Sequence, residues 1–327
     1  MRIIKKIFKF SLIIILILSI SLGIIFRKKI QLTYTIVKDV ISLKDNFSLN
    51  KEFEFSPTND VDYKDIIYKD TNNVQLKLDI YKPLKNIYKS SPVILYVHGG
   101  SWVYGDKSIP QFITPILDIF RNNGFTIIST EYELMRSHEN FEKQICDIKD
   151  TLRWIYKNSE DYNMNPNQIG IIGMSSGAHL SLMSAYTSND DFTDDVDLAK
   201  YPSKVKYVID FFGPTDLNLL DTSDLNWDLT NIFNSINDRS SIASEFNPIN
   251  YINSNIPDTL IIHSKSDSLV PYESSLDLYN KCVEEKASAQ LVPLEGTSHD
   301  MSNIFTQDII DLTKEVLKFI VKKSPLY

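Results

Sequence analysis

The sequence predicts an α/β fold: a mostly parallel central sheet flanked by helices. Three observations predict it. Strand-like and helix-like patterns alternate from residue 61 onward, as in parallel sheets built from crossover units. Two strand candidates are continuous apolar runs, the mark of strands buried on both faces. The helical stretches between them carry a single apolar stripe.

The elements follow in order. Asp65-Ile66-Ile67-Tyr68 and Gln75-Leu76-Lys77-Leu78-Asp79-Ile80-Tyr81 flank Asn72-Asn73, which predicts an opening hairpin. Residues 92–97 (PVILYV) and 125–129 (FTIIS) are the apolar runs. Phe141, Ile145, Ile148, Leu152 and Ile155 recur at intervals of four and three, which predicts a helix with one buried face. Further strands are expected at 168–172, 205–211, 259–263 and 289–292. A last helix carries Ile309, Leu312, Val316 and Phe319 on one face. Residues 216–250 are rich in Asp, Asn and Ser and break the alternation. They are expected to be an insertion between strands that forms a cap.

The 327 residues suffice for one large catalytic domain plus an extension. Apolar residues make up 43% and charged residues 23%, an ordinary globular balance. The net charge of −8 is unevenly spread: residues 1–29 hold seven basic residues and no acid. The remainder holds 27 basic against 42 acidic residues, which argues against nucleic acid as a partner. Cys146 and Cys282 form no CxxC pair and no Cys/His cluster, so neither a disulfide framework nor a structural zinc is expected.

Residues 10–26 run seventeen positions without a charge, between basic clusters. As a helix they span roughly 25 Å, near the lower limit for a bilayer core of about 30 Å. Residues 1–29 are therefore expected to be a transmembrane anchor and residues 30–60 a stalk. The small basic excess on the amino side favours an extracellular catalytic domain over residues 61–327. The competing reading is a signal segment followed by secretion, but no A-x-A-like cleavage site is present.

Gly173-Met174-Ser175-Ser176-Gly177 is a G-x-S-x-G pentapeptide. It follows the apolar QIGII and precedes the helix-like AHLSLM, the strand–turn–helix setting of a nucleophile elbow. A serine hydroxyl is a poor nucleophile until a base takes its proton. With such an elbow the partners follow in the order serine, acid, histidine. Of the five histidines, only His299 lies in a loop after the last expected strand. His179, four residues past the serine on the helix, is expected to be a buried, hydrogen-bonded residue. A carboxylate must hold the base in one tautomer. Asp267 follows the penultimate strand, and Asp216, one strand earlier, is its rival.

A tetrahedral oxyanion needs fixed backbone N–H donors. One is expected from Ser176, directly after the nucleophile. The others are expected from the glycine loop His98-Gly99-Gly100-Ser101-Trp102, 77 residues upstream and directly after an apolar strand. Glycines there let the backbone approach a substrate.

On these residues, together with Gly105-Asp106-Lys107, Phe212-Gly213-Pro214-Thr215-Asp216, His263 to Pro271 and Gly296 to His299, the chain resembles the esterase/lipase branch of the α/β-hydrolase fold. Within it, the chain is similar to hormone-sensitive-lipase-like and feruloyl-esterase-like enzymes. The resemblance implies hydrolysis of small carboxylic esters through an acyl-enzyme, with no cofactor and no metal. By position it makes the amides of Gly100, Ser101 and Ser176 the oxyanion donors. The third glycine common in the family is Ser101 here, and Ser-Ala-Gly-Gly becomes Ser175-Ser176-Gly177-Ala178. Backbone donors survive both changes. Two other functions compete: a peptidase or amidase sharing the triad chemistry, and a catalytically silent scaffold.

Overall fold

The computed structural model describes residues 61–323 except 72–73, 111–112, 221–238, 300, 302–303 and 305, with a few single positions before 61. Among these residues eight strands form one sheet. In chain order they are β1 (Tyr63–Thr71), β2 (Val74–Tyr81), β3 (Ser91–Val97), β4 (Thr126–Thr130), β5 (Met164–Met174), β6 (Tyr207–Phe211), β7 (Asp258–Ser264) and β8 (Ala289–Leu294). The spatial order is β1-β2-β4-β3-β5-β6-β7-β8. The β1–β2 and β2–β4 pairs are antiparallel and all later pairs are parallel. The expected hairpin is present, with Thr71 opposite Val74.

The apolar runs are continuous because alternate residues feed two different cores. Val93, Leu95 and Val97 of β3 enter one cluster, while Ile94 and Tyr96 enter the other. The first cluster lies under helices α2 (Phe141–Lys157), α3 (Ser176–Tyr186) and α5 (Tyr272–Glu284), through Ile145, Leu180 and Leu278. The second lies under α1 (Thr114–Asn122) and α6 (Thr306–Lys323), through Phe120 and Val316.

The expected α2 stripe is buried throughout, but so is much of the opposite face. Lys69 of β1 places its Nζ 2.7 Å from both Asp147 and Asp150 of α2 and 2.5 Å from Asp194. Arg153 adds a 2.8 Å contact to Asp150. A charged face that reads as solvated is thus covered by β1 and by the segment holding Asp194. In α6, Leu312, Val316 and Phe319 are buried, while Ile309 is only half-buried and Ile310 takes the inner place.

Within 216–250, the described residues form a 3₁₀ turn (Leu217–Leu219), helix α4 (Arg239–Phe246) and a second 3₁₀ turn (Pro248–Tyr251). The centre of the expected cap, 221–238, lies outside the described residues, as do the expected anchor segment at 10–26 and most of the stalk. Among the described residues no helix is long and apolar enough to cross a membrane. Both cysteines are buried and unpaired with each other.

Candidate active site

In open parallel sheets the loops at the carboxyl ends of the strands gather into one crevice. Here they carry His98 to Trp102 after β3, Ser175 after β5, Phe212 after β6, Asp267 after β7 and His299 after β8.

Strand β5 ends at Met174 and α3 begins at Ser176, so Ser175 is the whole turn. Its backbone is left-handed in φ, at φ 51° and ψ −122°, a conformation that costs an L-residue about 1–3 kcal/mol. The surroundings enforce it: the Ser175 N–H donates to the Phe211 carbonyl at 2.8 Å. Gly177 permits the tight packing behind the turn. A Cβ there would lie 2.2 Å from the His98 carbonyl oxygen and 2.4 Å from that of Val97.

The structure brings Ser175, His299 and Asp267 together. Ser175 Oγ lies 2.9 Å from His299 Nε2, and His299 Nδ1 lies 2.7 Å from Asp267 Oδ2. An ionised carboxylate only accepts, so His299 carries its proton on Nδ1 and Nε2 is free to accept from the serine hydroxyl. Phe212 packs edge-on against the His299 ring, with centroids 4.9 Å apart. Asp267 Oδ1 accepts the N–H groups of Leu269 and Val270, both at 2.9 Å. Burial raises the pKa of a carboxyl, but hydrogen bonds from His263 and His299 outweigh it and hold Asp267 well below the usual carboxylate range. Asp216 is engaged elsewhere: it caps the 3₁₀ turn through the Asn218 N–H at 2.9 Å and accepts from Asn247 at 2.7 Å.

The glycine loop turns sharply, with positive φ at Gly100 (125°), Ser101 (52°) and Trp102 (62°). Its carbonyls are tied down. Gly100 O accepts from Tyr104 N at 2.9 Å, and Trp102 O accepts from Met135 N at 2.9 Å and Gln144 Nε2 at 3.0 Å. The Trp102 indole donates to His179 Nδ1 at 3.2 Å, and His179 Nε2 lies 2.7 Å from the Phe246 carbonyl. His98 stacks on Tyr132 with centroids 4.3 Å apart, and the Tyr132 hydroxyl donates to the His98 carbonyl at 3.2 Å. Ser176 heads α3 with its side chain buried, 3.4 Å from the Tyr132 hydroxyl.

These loops line an open cleft of about 480 Å³. Gly99, Gly100, Ser101, Ser175 and His299 form one side, and Tyr96, Met174, Phe212 and Leu269 supply apolar surface. None of the described residues of 216–250 lines it. A second cleft of about 550 Å³, walled by Tyr186, Asn189, Lys204 and Asn255, shares no residue with the Ser175 cleft. Among the described residues no group of His, Cys, Asp or Glu side chains could hold a metal ion. Sequence reasoning assigned no role at the site to Phe212 or His263, although both stand in the stretches that carry the family resemblance. A further signal for His263 was its place in the same loop approach as Asp267.

A sequence profile of the family described as BD-FAE matches residues 78–282, most of the described sheet. The chain belongs to the BD-FAE family. The matched BD-FAE span holds the glycine loop, Ser175 and Asp267 and ends before His299. Several curated relatives of this BD-FAE chain carry the name esterase. Esterase LipC of Mycobacterium tuberculosis is 24% identical over 221 residues, covering 64% of this chain and 53% of LipC. The chain spans about half the length of the curated relatives it matches. Among solved structures, a truncated carbohydrate esterase from gut microbiota is 27% identical with a TM-score of 0.66, covering 80% of this chain and 96% of the other. The apo form of Thermogutta terrifontis esterase 2 shares the fold, with a TM-score of 0.64 at 22% identity, covering 81% of this chain and 96% of the other.

Proposed function

We propose that the protein is a carboxylesterase that cleaves small to medium acyl esters through an acyl-enzyme on Ser175. The observation that carries this reading is the unbroken line of hydrogen bonds from Ser175 through His299 to Asp267. The esterases among its relatives support the same reading.

In this mechanism Ser175 Oγ attacks the ester carbonyl carbon while His299 Nε2 takes the hydroxyl proton. The oxyanion is held by the backbone N–H groups of Gly100, Ser101 and Ser176, two from the glycine loop and one from the start of α3. Collapse breaks the bond to the alcohol, which leaves with the proton from His299. Water then repeats the sequence on the acyl-enzyme and releases the acid. Asp267 stays ionised throughout, orienting the ring and stabilising its charged form. The open cleft of about 480 Å³ suits a small acyl group.

The seventeen uncharged residues at 10–26, bracketed by basic clusters, support tethering of this domain to a membrane, with the catalytic part outside. Carbonate extraction of membranes from cells expressing the full chain tests the tether: release into the soluble fraction rejects it.

The function is tested with p-nitrophenyl acetate and a fluorophosphonate probe. The wild-type protein turns over the ester and is labelled. Ser175→Ala does neither while keeping the native circular dichroism. Undiminished turnover in that variant would falsify the role of Ser175, and an unlabelled, inactive wild-type protein would favour a silent scaffold.

A further inference from the structure

His263 is the penultimate residue of β7 and lies fully buried beside the Asp267 carboxylate. Its ring reaches both ways. Nδ1 lies 2.6 Å from Ser275 Oγ of α5, and Nε2 lies 3.0 Å from the Val270 carbonyl and 3.2 Å from Asp267 Oδ2. The chemistry of these partners fixes the proton. A backbone carbonyl and an ionised carboxylate can only accept, so Nε2 carries the hydrogen and shares it between them. Nδ1 is then the acceptor, and the Ser275 hydroxyl donates to it.

We propose that His263 is a positioning residue for ester hydrolysis: its Nε2–H clamps the Asp267 carboxylate so that Oδ2 faces His299. This rests on the reading of Ser175, His299 and Asp267 as the catalytic triad. The same oxygen serves both imidazoles, 2.7 Å from His299 Nδ1 and 3.2 Å from His263 Nε2. The other oxygen is fixed by two backbone N–H groups, so the carboxyl plane has no freedom left.

A rotating carboxylate would lose the His299 tautomer that leaves Nε2 free to accept, and a triad with the wrong tautomer loses most of its rate. The His263 Nε2–H also draws on the negative charge of Asp267 Oδ2. The groups facing His263 are Asp267 in the following loop, Tyr272 and Ser275 on α5, and Asp210 on β6, close enough to act on it electrostatically. Those facing the Asp267 carboxyl are His263 and His299. Losing the His263 donor leaves more negative charge on Asp267, so the carboxylate–imidazole pair holds a proton to higher pH.

The test compares steady-state hydrolysis and its pH profile in two variants of the full chain. His263→Leu removes the donor, and His263→Gln returns an amide N–H at the reach of Nε2. The expected loss in His263→Leu is about 10- to 100-fold in kcat, the range of a hydrogen bond to a charged group, with KM little changed. Its acidic limb in kcat/KM moves to higher pH, and His263→Gln recovers most of both. Equal losses in the two variants with an unmoved limb would mean a merely structural role and overturn the proposal. So would unchanged kcat in His263→Leu. If His263→Leu fails to fold, Ser275→Ala decides: it frees the tautomer and lowers kcat several-fold with the same upward move of the limb, and an unaltered profile overturns the proposal. Wild-type labelling by fluorophosphonate, lost in Ser175→Ala, is run alongside. If that control fails, the triad reading has failed, not only the role of His263.

Discussion

Trp102 donates its indole N–H to Nδ1 of His179 at 3.2 Å, joining the glycine loop to the helix that starts at the elbow. Because Nδ1 accepts, the His179 proton sits on Nε2, which donates to the Phe246 carbonyl of α4 at 2.7 Å. One neutral, buried ring therefore ties together three segments around the site.

This ring sets a pH dependence of stability. Burial lowers the His179 pKa from 6.5 to about 4. The unfolded chain then binds a proton between those values that the folded one refuses, so the stabilisation present above 6.5 is lost as pH falls toward 4. The contribution is on the order of 3 kcal/mol. Urea melts at pH 7 and pH 4.5 should show the stability gap between wild type and His179→Leu narrowing at the lower pH. A gap independent of pH would mean that the ring is not held neutral.

Asp267→Asn is expected to lower kcat by about 10⁴, since an amide facing His299 Nδ1 selects the wrong tautomer. Asp216→Asn should leave kcat within a few-fold, because Asp216 faces Asn218 and Asn247 rather than the imidazole. A larger loss in Asp216→Asn than in Asp267→Asn would reverse the assignment of the acid.

Gly177→Ala pushes a methyl group against two backbone carbonyls of the β3 end, His98 and Val97. Neither can swing aside as a side chain would. The variant is expected to lose about 1–3 kcal/mol or more, with activity falling as the glycine loop separates from Ser175. Thermal melting and p-nitrophenyl acetate turnover read the two effects. Wild-type values in both would show that the backbone there relaxes freely.

Lys69→Met removes the one cation among the described residues that contacts all three of Asp147, Asp150 and Asp194 at 2.7 Å or less. Breaking a buried pair by deleting one partner leaves charge uncompensated and typically costs about 3–5 kcal/mol. Chemical denaturation measures it, and a loss below about 1 kcal/mol would indicate that water reaches the cluster.

Strands β3 and β4 were legible because each is a continuous apolar run buried along its whole length, which reports burial on both faces directly. Helix α5 was not. Its inner face is made of Ser274, Ser275, Leu278 and Cys282, two of them small polar residues, so hydrophobic periodicity is weak. The covered face of α2 was hidden for the opposite reason: Lys149, Asp150 and Arg153 read as solvated until β1 and residues near Asp194 close over them.

At the site, the sequence by itself singled out Ser175 and His299 as the candidate nucleophile and base. The elbow is a local strand–turn–helix event within five residues, and His299 alone among five histidines follows the last strand. Tertiary structure decided the rest, because hydrogen bonds between distant segments leave no periodic trace. Only the folded loops show that Asp267 rather than Asp216 meets His299, that His179 anchors Trp102, and that His263 shares the Asp267 oxygen with His299. Local chemistry names the groups that can react. The sheet, by bringing the ends of β3, β5, β7 and β8 to one edge, decides which of them touch.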